Sequence, residues 1–197
     1  MLIGICGGIG SGKSVVSRIM RLKGFAVYDC DYEARKLMSV DTEIKSRIRD
    51  EISPEVTDGT TSPDRRRLAA IVFNDEQARL KLNHIVHGAI LKDVAGKDSA
   101  DDILWVEAAI LAESGLAQIC DRIWRVDAPE SLRIRRASHR DSCKADDIAK
   151  RIASQRKEEE LLKEYQDKTD IILNDDRHSL ILRIDDLLSK SLESLRR

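Results

Sequence analysis

Between Gly7 and Gly12 the chain places four glycines in six residues, and Lys13 and Ser14 follow at once. The spacing Gly7-x-x-x-x-Gly12-Lys13-Ser14 is that of a loop that wraps phosphate. Glycines let successive backbone N–H groups turn inward around phosphate oxygens. A helix after the loop adds the positive end of its dipole. The Lys13 ammonium can reach the β- and γ-phosphates, and the Ser14 hydroxyl is a hard oxygen ligand suited to Mg²⁺. This pattern assigns Gly7, Gly8, Ile9, Gly10, Ser11, Gly12, Lys13, Ser14 and Val15 to a nucleotide, ATP, with Mg²⁺ beside it. It is silent on what receives the phosphate.

A second group of residues bears on that question. Asp29 and Asp31 follow the short apolar run Phe25–Tyr28. Two residues apart on an extended chain share a face. A carboxylate there could take the proton of a hydroxyl that attacks the γ-phosphate, or hold a Mg²⁺-bound water. Asp31 could equally cap the helix that begins at Tyr32.

These groups need elements to position them. Leu2–Cys6 is an apolar run stopped by glycine, the mark of a buried parallel strand. Lys13–Leu22 carries Val16, Ile19 and Met20 on one helical face. Further strands are expected at Phe25–Asp31, Ile103–Ile110, Arg122–Val126 and Ile171–Asn174. Strands that alternate with helices predict an α/β, doubly wound parallel sheet. From Tyr32 to about Ala100 the pattern is helical, broken by turn residues at Ser53–Pro63. This stretch reads as an insertion over the carboxyl end of the sheet. The run Arg156–Glu164 pairs charges four apart and reads as a solvated helix face.

Composition narrows the class. The 197 residues suffice for one core with insertions. A net charge of −1 gives no global call for nucleic acid or a membrane surface. No apolar run approaches the ~20 residues of a membrane span. Four scattered cysteines without a C-x-x-C point to reduced thiols and a cytoplasmic protein. Met1 leads straight into the first strand, with no basic region or cleavage site before it.

Several stretches then fall in one order: Gly7–Ser14, "YDCDYEARKL", "PDRRRLAAIVF", "LNHIVHGAI", "EAAILAESGL", "RVDAPESLRIRRASHRD", "RIASQ" and "DIILND". Together they resemble the dephospho-CoA kinase family over nearly the whole chain. The resemblance implies a P-loop NTPase three-layer fold with a five-stranded parallel sheet, a helical acceptor-binding insertion and a helical lid. On that pattern residues 1–31, 101–135 and 165–197 form the nucleotide-binding core. Residues 32–100 form the dephospho-CoA-binding insertion, and 136–164 the lid. The implied reaction moves the ATP γ-phosphate to the ribose 3′-hydroxyl of dephospho-CoA.

The family's D-x-D matches Asp29-Cys30-Asp31 and makes Asp31 the general base. Its D-R matches Asp64-Arg65, and Arg65 suits the acceptor's phosphates; Arg66 and Arg67 read as a solvated helix start. His87 matches a histidine of the acceptor domain, with Gly88 where the family has proline. His84 and His87 could share a helix face, but no acid or cysteine joins them as a metal site would need. Glu107 ends an apolar strand and could contact Mg²⁺ through water. Ala109 stands where the family usually has proline. Glu113 matches a characteristic family glutamate and could equally be an ordinary helix-start carboxylate. Arg136 and Arg140, four apart, are expected on the lid, with Arg140 against the transferring phosphoryl group. Arg133 and Arg135 read as solvated. Arg151 and Gln155 match the next helix, and Asn174 the family asparagine near the adenine.

Lys13, Arg140 and Asp31 are therefore the expected catalytic set. Other small-molecule kinases and a nucleotide-binding module without chemistry use the same loop. The sequence leaves the oligomeric state open.

Overall fold

The computed structural model describes residues 1–97 and 102–195. They divide into two compact units, residues 1–29 with 102–195, and residues 30–97.

The first unit is built on five parallel strands: β1 (Leu2–Cys6), β2 (Val27–Asp29), β3 (Leu104–Glu107), β4 (Arg122–Asp127) and β5 (Thr169–Leu173). Their order across the sheet is β2-β3-β1-β4-β5. β1 is therefore central, bonded to β3 on one side and β4 on the other. All five of its residues are buried, which is why it reads as an unbroken apolar run. Ile3 and Ile5 face α1 (Lys13–Leu22) and α10 (Leu180–Leu195) through Val16, Met20, Ile184 and Leu187. Trp105 and Trp124, both fully buried, meet edge to face there at 4.6 Å. Gly4 faces the other way, where a Cβ would lie 2.7 Å from Leu111 Cδ2 and 3.0 Å from Cys120 Sγ. A side chain at this position would have to displace Leu111 from the strand.

The remaining helices of this unit are α6 (Leu116–Ile119), α7 (Glu130–Asp141), α8 (Ala145–Ala153) and α9 (Arg156–Leu162), with a 3₁₀ segment at Lys163–Lys168. Residues 136–164 fall within this unit. The chain leaves β1 for β2, returns to β3, then crosses to β4 and β5. The reversal sits at β1, where an open α/β sheet leaves a crevice at its carboxyl edge.

The second unit is all helical: α2 (Cys30–Val40), α3 (Thr42–Glu51), α4 (Arg65–Asn74) and α5 (Glu76–Ala95). Ile44, Ile48, Val56, Leu68 and Ile85 form its core. Asp41, Asp64 and Asp75 each cap a helix through two backbone N–H groups. Between α3 and α4, Asp58 accepts N–H and O–H bonds from both Thr60 and Thr61. Those four bonds hold its carboxyl below the usual carboxylate range and fix the turn that the sequence signalled. Among the described residues no helix is long and apolar enough to cross a membrane.

The strand expected through Asp31 stops earlier. β2 ends at Asp29, and Cys30 already opens α2. Asp29 is thus the last strand residue, whereas Asp31 lies in the first helical turn. The two carboxylates do not share an extended face, and Asp31 is inside the helix instead of capping it. The three-residue strand is too short to impose its period on the acids beyond it.

Candidate active site

β1 delivers the chain into the glycine loop, and α1 begins at Lys13 as the spacing predicts. Gly10 (φ 76°) and Gly12 (φ 103°) are left-handed. Side chains of the first unit hold the loop from outside. Asn174, just past β5, donates from Nδ2 to the Ser11 carbonyl at 2.8 Å. Gln155 Oε1 accepts from the Ile9 N–H at 2.8 Å, and Arg133 Nε donates to the Ile9 carbonyl at 3.0 Å. The Ile9 side chain packs on Ala137, Ile148 and Ile152. Ile9 is therefore an anchor: its N–H is used within the protein and points away from the expected phosphate role. Val15 N–H also closes the first helical turn, on the Gly12 carbonyl at 2.9 Å.

The N–H groups of Gly10, Gly12, Lys13 and Ser14 donate to no protein acceptor among the described residues. They cluster at the start of α1, where the helix dipole also favours an anion. Ser14 is exposed and Lys13 half-buried. The Lys13 ammonium makes no ion pair among the described residues. The loop is thus a ready anion cradle with the half-buried Lys13 ammonium beside it.

Carboxylates stand one and two strands away. Glu107 ends β3 opposite Ile5 of β1, and Asp29 ends β2 opposite Glu107. Both lie at the carboxyl edge that faces the crevice. Among the described residues no three acids, histidines or cysteines converge as a metal cage. Mg²⁺ seldom uses one: it keeps waters and binds one or two protein oxygens together with phosphates. Ser14 Oγ and Glu107 are an all-oxygen donor set of that kind. Burial pushes the Cys6 and Cys120 thiols up to about 12, so neither is a nucleophile at neutral pH.

The turn after β3 is held from α9. Glu158 Oε1 accepts from Ala112 N–H and Oε2 from Glu113 N–H, each at 2.8 Å. Burial pushes the Glu158 carboxyl up, and these bonds work against that rise. Lys157 pairs with Glu113 at 3.0 Å. Here the structure corrects two expectations. The run Arg156–Glu164 is not merely a solvated face, because Glu158 is 5% exposed. Arg133 is not solvated either, at 7% exposed. A signal existed for both. Arg133 lies four residues before buried Ala137, and Glu158 four before buried Leu162. Each apolar stripe, carried back one turn, lands on a charge. Arg135 does remain exposed, 3.4 Å from Asp176.

Arg136 and Arg140 share α7 but have different surroundings. Arg136 donates to the Asn174 carbonyl at 2.9 Å and pairs with Asp176. Arg140 is exposed and bonds its neighbour Asp141 through Nε at 2.7 Å, while Arg151 reaches the same carboxylate at 3.3 Å. Arg136 thus braces the segment after β5, whereas Arg140 is exposed and forked on Asp141, its Nη2 adding a second bond at 3.1 Å.

Within the helical unit, Asp31 is exposed in the first turn of α2. Arg65 is the exposed first residue of α4, where Asp64 spends its side chain on Arg66 and Arg67 N–H. Arg66 and Arg67 are exposed, as a solvated helix start should be. His87 is half-buried and His84 exposed on α5. A groove of about 550 Å³ runs along this unit; Leu37, Ile44 and Ile85 are apolar in it, and Arg47, Gly88 and Lys92 also line it.

A central parallel strand, a glycine loop, a lysine and an anion-receiving helix define a nucleotide-binding protein of the P-loop class. A shikimate kinase from Acinetobacter baumannii shares the fold, with a TM-score of 0.54 over 98% of this chain and 93% of that one at 13% identity. Within the class, the family model described as dephospho-CoA kinase matches residues 1–179, and the chain belongs to that family. The dephospho-CoA kinase of Porphyromonas gingivalis is 37% identical over 184 residues, 92% of this chain and 90% of that protein. A crystal structure from Thermus thermophilus aligns with a TM-score of 0.72 at 27% identity, over 99% of this chain and 97% of the other. The Campylobacter jejuni dephospho-CoA kinase aligns at 0.67 with 24% identity, over 98% of each chain.

Proposed function

We propose that the protein phosphorylates the ribose 3′-hydroxyl of dephospho-CoA with ATP, giving coenzyme A and ADP, the last step of coenzyme A synthesis in the cytoplasm. The observation that carries this is the match to the dephospho-CoA kinase family over residues 1–179, in a chain whose glycine loop leaves the N–H groups of Gly10, Gly12, Lys13 and Ser14 without a protein acceptor among the described residues.

In this reading the donor lies on Gly7 to Ser14, with Asn174 near its adenine. The 3′-oxygen attacks the γ-phosphorus in line, and the bond to the β–γ bridging oxygen breaks as ADP leaves. Asp31 takes the hydroxyl proton. Lys13 and Arg140 offset the charge that spreads over the transferring group. Ser14 and Glu107 would hold Mg²⁺, which supplies further charge neutralisation when bound. Arg65, His87, Glu113 and Arg136 serve the acceptor, and the helical groove is a seat for its pantetheine arm. Residues 32–100 are the acceptor domain, and residues 136–164 the lid whose closure keeps water from taking the phosphoryl group.

The test is ATP consumption by the whole protein with dephospho-CoA, adenosine and AMP as separate acceptors. Turnover confined to dephospho-CoA is the expected result. Turnover with adenosine or AMP, and none with dephospho-CoA, would overturn the assignment.

A further inference from the structure

Helix α7 brings to the phosphate loop a cation that neither the glycine motif nor the family resemblance selects. Arg133 is 7% exposed. Its Nε is spent on the Ile9 carbonyl, and its Nη1 lies 3.6 Å from Glu159 Oε1. Its Nη2 is buried without a protein partner among the described residues. A Cβ on Gly8 would lie 2.0 Å from that Nη2, and one on Gly10 would lie 2.2 Å from the Arg133 carbonyl oxygen. Gly8 and Gly10 are the two loop glycines outside the G-x-x-x-x-G-K-S pattern. The Arg133 backbone gives a steric reason for Gly10, and its buried guanidinium occupies the space beside Gly8.

The charge balance is the second point. A guanidinium stays charged, and a buried charge is costly unless paired. Around the small space that Arg133 shares with the loop, Glu158 is engaged by two N–H groups and Asp127 lies 3.5 Å from Arg125. Glu159 is the carboxylate within ion-pair reach of Arg133, at a long 3.6 Å and with a side chain 42% exposed. The fold therefore keeps an under-compensated cation against the loop that receives a polyphosphate.

We propose that Arg133 is a positioning residue for the donor nucleotide: its fixed charge against Gly8 and Gly10 favours polyphosphate in the cradle, and Glu159 attenuates that field. The proposal rests on the loop being the donor site, and not on the identity of the acceptor.

The test is calorimetry of ATP and of inorganic tripolyphosphate on the whole protein, without acceptor. Arg133→Met is expected to weaken both about tenfold, and Arg133→Lys to recover part of the loss. Glu159→Gln is expected to tighten both two- to fivefold. In the Arg133→Met background the same Glu159→Gln change should give no gain. A bracing role for Arg133 predicts no gain from Glu159→Gln at all. Unchanged or weaker binding in Glu159→Gln, or an equal gain in both backgrounds, overturns the proposal. Should Arg133→Met not fold, Glu159→Gln and Arg133→Lys decide alone. A wild-type protein that binds ATP but does not phosphorylate dephospho-CoA would overturn the assigned reaction and leave this proposal standing.

Discussion

Asn174 Nδ2 and the Ser11 carbonyl are joined at 2.8 Å, so the end of β5 holds the loop that leaves β1. The same nitrogen would be 2.2 Å from a Cβ on Gly12, where φ is 103°. Asn174→Ala removes one hydrogen bond, worth about 1 kcal/mol. It should raise the ATP dissociation constant about three- to tenfold and spare the acceptor KM. Gly12→Ala faces both the clash and the left-handed backbone, and should abolish nucleotide binding. Titration calorimetry with ATP checks both.

Asp31→Asn keeps the shape of the first turn of α2 and removes the proposed base. Turnover is expected to fall by on the order of 10²-fold or more, with ATP affinity spared. Steady-state rates and ATP titrations of that variant decide the matter. Near-normal turnover would remove Asp31 from the base role.

The segment after β5 carries its own acid switch. Asp175 accepts from the N–H groups of His178 and Arg177, which hold its carboxyl down at about 2. An unfolded aspartate titrates near about 3.9. The folded value is the lower one, so its contribution to stability is present above about pH 4 and lost as pH falls through about 2. Asp175→Ala should therefore unfold at lower urea than the wild type at pH 7. The gap should close between about pH 4 and pH 2. Urea melts across that range test the sign.

Gly88 sits inside α5, and a Cβ there would meet nothing within 4 Å. Alanine in a helix interior is favoured over glycine by about 0.5–1 kcal/mol. Gly88→Ala should stabilise the protein by that amount in chemical denaturation. ATP affinity should not change, while a shifted dephospho-CoA KM would tie the groove to the acceptor.

The sheet was legible because its strands are short, apolar and stopped by turn residues, and the first helix because Val16 and Met20 repeat on one face. The phosphate cradle was legible because it is local: one continuous stretch sets its own geometry. Arg133, Gln155 and Glu158 were not legible as parts of the site. The four-residue spacing to Ala137 and Leu162 could have flagged Arg133 and Glu158 as buried, but the partners of all three lie 124, 146 and 45 or 46 positions away, which no short spacing encodes. The acids after β2 were misread for a different reason. A strand of three residues and a helix that starts at Cys30 look like one alternating run until the helix start is seen.

The clamp on Ile9 also sets an order of events during synthesis. β1 and the loop leave the ribosome well before what holds them: the partners of β1 begin at Leu104 and Arg122, and the braces of the loop are Arg133, Gln155 and Asn174. At cellular elongation rates that delay is on the order of ten seconds or more. The nascent chain thus carries the nucleotide signature long before it owns a nucleotide site. β1 gains its first strand partner once β3 arrives, just past the middle of the chain, whereas the loop is not fully braced until Arg133, Gln155 and Asn174 arrive in the last third.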